Sequence, residues 1–401
     1  MGTRNVMVVG GGPVGLAVAV ALGKAGVSVQ LFELGDMQHQ DPRAATIHPA
    51  SLDLLDDLGI YKLIEPQGII CPIVNYYDGK DLIASFDHGL LAGEVRHPWV
   101  LQCEQDKLAR TLLSVAETLP SVTVFPMTRL VSFSQSPEDV RITVESEDGT
   151  RSNYRGDYLV GADGARSSVR KGAEIAFEGE TLPGRFMIVG TPHDFVGDGY
   201  AYRNYISDPE EWYNLFKISW KGPPGLFRLV VPVGAEAVDL DDGQRRNLGQ
   251  AKLQRFHRRD EPYEVTLTDL YVVNQRVAAT FRKGRILLAG DAAHLNSPIG
   301  GMGMNSGIHD AVNLAEQLIN VVHGATDSLL DLYSRQRKYV ADTHVQRATK
   351  INKKNMEQRD ASSRDAYRNL MKKTAGDEKL AKEFLMNSSL VLSLRDAALV
   401  K

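Results

Sequence analysis

The sequence predicts an α/β protein. It is read as a Rossmann-like nucleotide-binding domain of discontinuous segments with an inserted β-sheet domain and C-terminal helices. Three observations carry this prediction. The N-terminal stretch "VMVVGGGPVGLAVAVALGKAGVSVQLFE" has the pattern strand, glycine turn, helix, strand. Between residues 177 and 275 the texture changes to aromatic, alternating strands. Buried-strand character then returns in "GRILLAGD", so the first domain resumes after the insertion. The expected segments are 1–176 and 276–345 for the nucleotide domain, 177–275 for the inserted sheet, and 346–401 for a helical C-terminal region.

Val6 to Val9 form an apolar run suited to a buried parallel strand, and Leu16 through Leu22 continue as an apolar helix ending near Gly26. Gly10, Gly12 and Gly15 satisfy G-x-G-x-x-G at the junction, with Pro13 and Val14 completing the turn. Such glycines let the chain turn sharply and let a pyrophosphate approach the backbone at a helix N-terminus. Glu33 closes the second strand, where a carboxylate can hold an adenosine ribose. The motif does not by itself separate NAD from FAD.

"DPRAATIHPASLDLLDDLG" follows as a loop and an amphipathic helix, and "WVLQCEQDKLARTLLSVAETL" as an extended piece entering a second helix. Strands are expected in "SVTVFP" and "VRITVESEDGTRSNYRGDYLVGADG", with "EDG" as a hairpin turn. In the inserted domain the strands are "RFMIVGTP", "YAYRNYIS", "EWYNLFKIS" and "LFRLVVPV". Their alternation implies one packed face and one polar or ligand-facing one, as in a substrate-covering sheet. Arg228 shares a face with Leu226 and Val230, where a charge requires a partner. A substrate carboxylate and an internal Asp or Glu serve equally well. Tyr202, Tyr205 and Tyr213 are candidates to line a pocket and relay a proton, against the plainer reading of aromatic core.

Residues 287 to 315, "LLAGDAAHLNSPIGGMGMNSGIHDAVNLA", hold a near-dinucleotide pattern at Gly301 and Gly303. A true second dinucleotide turn would place its glycines directly after the strand; here Asp291 follows the strand and about ten residues of loop intervene. The device is therefore different. Asp291 can accept hydrogen bonds from a polyol, and the glycine loop lets backbone approach a flat ring. The helix beginning near Met304 aims free N–H groups at that ring.

A chain of 401 residues with 43% hydrophobic and 24% charged residues is enzyme-sized and globular. A formal charge of -4 predicts no nucleic-acid partner and no stable membrane association. Only Cys71 and Cys103 occur, without a CxxC pair, so neither a disulfide framework nor a redox dithiol is indicated, and a cytoplasmic location fits. The ten histidines show no metal-ligand spacing, and no metal is expected. Glycines interrupt the apolar N-terminal run, which argues against a signal sequence or membrane span.

With these motifs in order, the chain resembles the single-component FAD-dependent aromatic hydroxylases that share the fold of 4-hydroxybenzoate hydroxylase. The resemblance spans nearly the whole length. "GGGPVG" matches the pyrophosphate turn, "GADGARSSVR" the DG motif, and "LLAGDAAH" the GD motif for the ribityl chain. It implies one FAD gripped from two sides rather than two nucleotides. By motif, Glu33 is expected on the adenosine ribose, Arg43 and Gln102 along the FAD phosphates, and Asp163 near the pyrophosphate. Gly290 and Asp291 are expected at the ribityl hydroxyls, and Pro298, Gly303, Met304 and Asn305 around the isoalloxazine. Backbone N–H groups of Met304 and Asn305 would stabilise charge on the reduced ring. "AFEGETLPG", "MNSGIHDAVNLAEQL" and "LLDLYSRQR" look closest to the 3-(3-hydroxyphenyl)propionate and phenol hydroxylase branch, without its thioredoxin-like C-terminal extension.

The resemblance implies a monooxygenase of aromatic catabolism. NADH or NADPH reduces FAD, O2 is captured as a flavin C4a-hydroperoxide, and a small phenolic or hydroxypyridine acid is hydroxylated. The ring needs activation, so a base or proton relay is expected near its hydroxyl. His48 is the first candidate, standing where the branch often has Asp; the alternative is that it shapes the turn before Pro49. His294 and His309 are expected to be structural. A non-oxygenating FAD-dependent oxidoreductase and a hydroxylase of larger polycyclic aromatics stay open as alternatives. A homodimer is also open, because homodimers are common among the proteins it resembles.

Overall fold

The computed structural model describes residues 4–38, 44–234, 237, 240–357 and 360–401. Its first layer is a six-stranded sheet in the spatial order Arg282–Lys283, Ile286–Leu288, Tyr158–Gly161, Asn5–Val9, Ser28–Phe32 and Val122–Phe125. All neighbours are parallel except the edge pair Arg282–Lys283 and Ile286–Leu288. Strands 5–9, 158–161 and 286–288 are almost wholly buried, which explains their unbroken apolar runs. Helices Pro13–Lys24 and Met302–Val322 pack against one another beside this sheet, so the two ends of the nucleotide domain meet.

The "VRITVESEDGTRSNYRG" segment forms a hairpin within a three-stranded antiparallel sheet of 128–135, 140–146 and 151–156. The inserted region forms an eight-stranded sheet in the order 294–295, 267–278, 177–191, 226–233, 213–218, 203–207, 73–78 and 81–87. Two of these strands, Ile73–Asp78 and Asp81–Asp87, come from the N-terminal segment, and the first joins Arg203–Ser207 in parallel. Sequence periodicity cannot reveal such recruitment, because the pairing partner is more than a hundred residues away.

Each face of the large sheet covers its own core. Helix Asp242–Phe256 packs on one face over Met187, Val189, Leu215, Phe227 and Leu229. The other face, with Phe186, Ile188, Tyr205, Phe216 and Val230, meets the nucleotide domain and the C-terminal helices through Ala50, Ile299, Met371 and Leu385. Asp78 locks those helices to the sheet edge by pairing with Arg364 and Arg368. Among the described residues no helix is long and apolar enough to cross a membrane.

Candidate active site

One cavity of about 390 Å³ runs between the domains, from Gly12, Pro13 and Val14 past Asp291 to Asn214, Phe216 and Arg228 on the large sheet. Its first wall is the glycine turn. Gly10 has φ +110° and a Cβ there would stand 2.3 Å from the Ala162 carbonyl oxygen; a Cβ on Gly15 would stand 1.9 Å from that of Gly10. Both positions hold strand and helix in contact and admit only glycine. Gly12 is open, with no described residue within 4 Å of its would-be Cβ, and so leaves its backbone accessible at the start of helix Pro13–Lys24. Glu33 braces this turn from the neighbouring strand, accepting from the Gly11 and Gly35 N–H groups at 2.5 and 2.8 Å.

The second wall is the loop between Asp291 and helix Met302–Val322. Asp291, Pro298, Gly303 and Met304 all line the cavity. Gly301 caps the helix in a left-handed conformation, and the first N–H groups behind it have no intrahelical acceptor. Asn305 staples this turn to residues 46–48: its Nδ2 donates to the carbonyls of Gly301 and Thr46, and its Oδ1 accepts from the His48 N–H at 2.8 Å. Its side chain is thus structural, and Asn305, fully buried, does not itself line the cavity. Gly290 lies behind Asp291, and its N–H donates to Asp310 at 3.0 Å. The same carboxylate accepts from His294 at 2.8 Å and from Arg337 at 2.6 Å. Burial works to raise Asp310, yet His294 and Arg337 hold it at about 2.

Asp163 does not line the cavity; its neighbours Ala162 and Gly164 do. Its carboxylate accepts from Ser167 Oγ and from the Ser168 and Val169 N–H groups, and burial raises its pKa. Arg170, in the short helix that follows, donates to the Ala292 carbonyl and ties the DG segment to the GD segment. Gln102 is buried just behind Thr46, from whose hydroxyl it accepts, and its Nε2 has no partner among the described residues. Gln105, three residues on, lines the cavity in its place. Arg43 lies outside the described residues.

His48 is fully buried. Its Nε2 stands 2.8 Å from the Gly300 carbonyl, which can only accept, so Nε2 carries the hydrogen and Nδ1 is bare. Nδ1 has no partner among the described residues. Burial and then the nearby Arg203 guanidinium push its pKa well below the ordinary value, so the ring is neutral.

On the large sheet Arg228, Asn214, Phe216, Val230 and Tyr271 complete the cavity. Arg228 and Phe216 are direct cross-strand partners, as are Val230 and Asn214. Tyr205 is buried on this face, its ring stacked on Tyr76 with centroids 5.1 Å apart. The structure does not bring the other two tyrosines here. Tyr213 alternates with Asn214 and therefore faces helix Asp242–Phe256, where its hydroxyl donates to Glu211 at 3.0 Å and burial raises its pKa. Tyr202 precedes the strand and is 41% exposed. Sequence reasoning missed Asn214, Phe216 and Tyr271, since alternation gives a face but not the strand opposite. It also missed Gln105, which no motif marks.

These features fit FAD. A backbone cradle open at Gly12, a carboxylate at Asp291 and the Gln105 side chain on the cavity wall are donors and acceptors suited to a pyrophosphate and a polyol.

Comparison with known proteins agrees. The family model described as an FAD binding domain matches residues 3–348. A para-nitrophenol 4-monooxygenase from Pseudomonas sp. (strain WBC-3) is 34% identical over 96% of this chain and 94% of its own length. A 6-hydroxy-3-succinoylpyridine 3-monooxygenase from Pseudomonas putida is 32% identical over 84% of this chain and 85% of its own. The crystal structure of p-nitrophenol 4-monooxygenase from Pseudomonas putida DLL-E4 superposes with a TM-score of 0.90 at 31% identity, covering 96% of both chains. The chain belongs to the FAD-binding-domain family of aromatic-ring monooxygenases.

Proposed function

We propose that this enzyme hydroxylates a small phenolic or hydroxypyridine acid, with NADH or NADPH as electron donor and O2 as co-substrate. The observation that carries the reading is the continuity of one cavity from the glycine turn and Asp291 to Phe216, Tyr271 and Arg228. Bound FAD would supply the redox chemistry, taking electrons from NAD(P)H and delivering one oxygen atom of O2 to the ring.

The chain's own residues bind, orient and exclude water. Gly12, Gln105 and Asp291 would hold the cofactor's phosphates and polyol, with Glu33 shaping the turn that would receive its adenosine end. The N–H groups opening helix Met302–Val322 would face the flavin ring and stabilise negative charge on it. Phe216, Val230 and Tyr271 give the aromatic substrate an apolar wall. Arg228 lines the same wall and would attract a carboxylate on that ring. His48 holds the Gly300 carbonyl through Nε2 and would fix the glycine loop against the flavin. The names of two relatives, acting on a nitrophenol and a hydroxypyridine, support this substrate range.

The test is NADH and NADPH oxidation by the FAD-loaded protein with a panel of phenolic and hydroxypyridine acids, while H2O2 is followed. Strong stimulation by one ring with little peroxide is expected. Absence of stimulation across the panel would discard the substrate range.

A further inference from the structure

Among the described residues Arg203 is a buried cation without a counter-ion. It is 4% exposed, and no carboxylate among the described residues pairs with it. Its hydrogen bond is from Nη2 to the Tyr205 hydroxyl at 3.1 Å, and its Nε has no partner among the described residues. The guanidinium carbon stands 5.6 Å from the Tyr205 ring centroid and 5.8 Å from that of Phe216. Cation–π contacts at this range offset only part of the desolvation of a buried charge.

Sheet register fixes where this charge lies. Arg203 pairs with Phe216 and Phe216 with Arg228, so two guanidinium-bearing residues flank the cavity-lining phenylalanine in one row. In the next row Tyr205 pairs with Asn214, which also lines the cavity. The other groups sensing Arg203 are His48, His88, Cys71 and Tyr76. All are neutral: burial depresses both imidazoles, His88 to about 4, raises the Cys71 thiol to about 12, and holds the Tyr76 phenol well above its ordinary value. None of these described neighbours supplies the missing negative charge.

We propose that Arg203, with the Tyr205 hydroxyl it donates to, forms an anion subsite at the aromatic end of the cavity, which takes the substrate with an ionised ring oxygen or an anionic ring substituent. Because Tyr205 accepts from Arg203, its own hydrogen is directed away from the guanidinium and available to an anionic oxygen. This rests on the monooxygenase reading of the same cavity but adds a charge requirement to it.

The test uses FAD-loaded protein without reductant and reads ligand binding from the flavin absorbance. One arm pairs 4-nitrophenol, whose phenol and phenolate absorb differently, with its non-ionisable O-methyl ether. A second arm pairs benzoate with benzamide. Arg203→Met should weaken at least one anion by roughly ten- to a hundredfold while changing its neutral partner by about twofold or less. Arg203→Lys should fall between, and Tyr205→Phe should weaken the same anion more mildly. Loss confined to 4-nitrophenol, with loss of its phenolate band, assigns the subsite to the ring oxygen. Loss confined to benzoate assigns it to a substituent. Equal weakening of anion and neutral partner in flavin-loaded Arg203→Met and Arg203→Lys overturns the subsite alone. Charge discrimination without NAD(P)H-dependent hydroxylation overturns the monooxygenase substrate range and leaves the subsite. No spectral response to any of the four ligands overturns both.

Discussion

Asp291 and His48 show how differently two residues of one site depend on their surroundings. Asp291 stands at the cavity wall, and its proposed role would rest on direct contact with the cofactor. Asp291→Ala should therefore lose FAD on gel filtration and emerge largely colourless; retention of full flavin content would remove it from the site. His48 is buried, neutral and bonded to Gly300. If its main work is to hold that loop, glutamine can replace it, because its Nε2 can reach the same carbonyl. His48→Gln should keep the coupling between NAD(P)H oxidation and product and leave the pH profile unchanged, whereas His48→Ala should leak H2O2. A shifted pH profile in His48→Gln would instead make Nδ1 the proton acceptor. Gly10, Gly12, Asp291 and Arg228 were legible because each stands in a local pattern with a physical requirement. Arg203 was not, because nothing in "YAYRNYIS" says that its face is buried without an acid.

At the scale of elements, the glycine turn and the strand at 286–288 follow from local sequence alone, since a buried parallel strand and a glycine-opened helix each declare themselves within about ten residues. The strands at 73–87 did not, because joining the inserted sheet depends on a distant parallel partner at 203–207. The same limit hid the support for the Asp291 loop. Helix Met302–Val322 carries Asp310, helix Ser328–Val340 carries Arg337, and the strand His294–Leu295 carries His294; the three meet in full burial beneath Gly290. Breaking such a network leaves a buried charge unpaired, at about 3–5 kcal/mol. Asp310→Asn should lower the unfolding free energy by about this much and weaken FAD binding without touching the cofactor. Urea unfolding of the flavin-free protein separates the two effects, and an unchanged midpoint would show that the triad does not brace the loop.

At the scale of the whole molecule, several buried histidines must stay neutral. His48 is held well below 6.5, His88 at about 4 and His309 at about 3, each chiefly by burial and then by a nearby arginine. The His309 ring is bonded to Ser51 at 2.9 Å, joining helix Met302–Val322 to helix Pro49–Asp57. The unfolded chain protonates these rings near pH 6.5, whereas the folded chain resists until far lower pH. Between those limits the unfolded state binds more protons, so stability rises with pH and is lost on acidification from about 6.5 toward 4. Asp310 acts in the same direction lower down, since its folded value of about 2 lies below the ordinary 3.8. Each neutral histidine contributes up to about 1.4 kcal/mol per pH unit across its window. The expected result is a Tm that is flat above pH 7 and falls by roughly a few degrees per pH unit below 6.5. His309→Gln should make that fall shallower by removing one titrating ring while keeping a partner for Ser51. A Tm that stays level from pH 7 to 4, or a His309→Gln slope equal to that of the unmodified chain, would show that these buried rings do not govern acid stability.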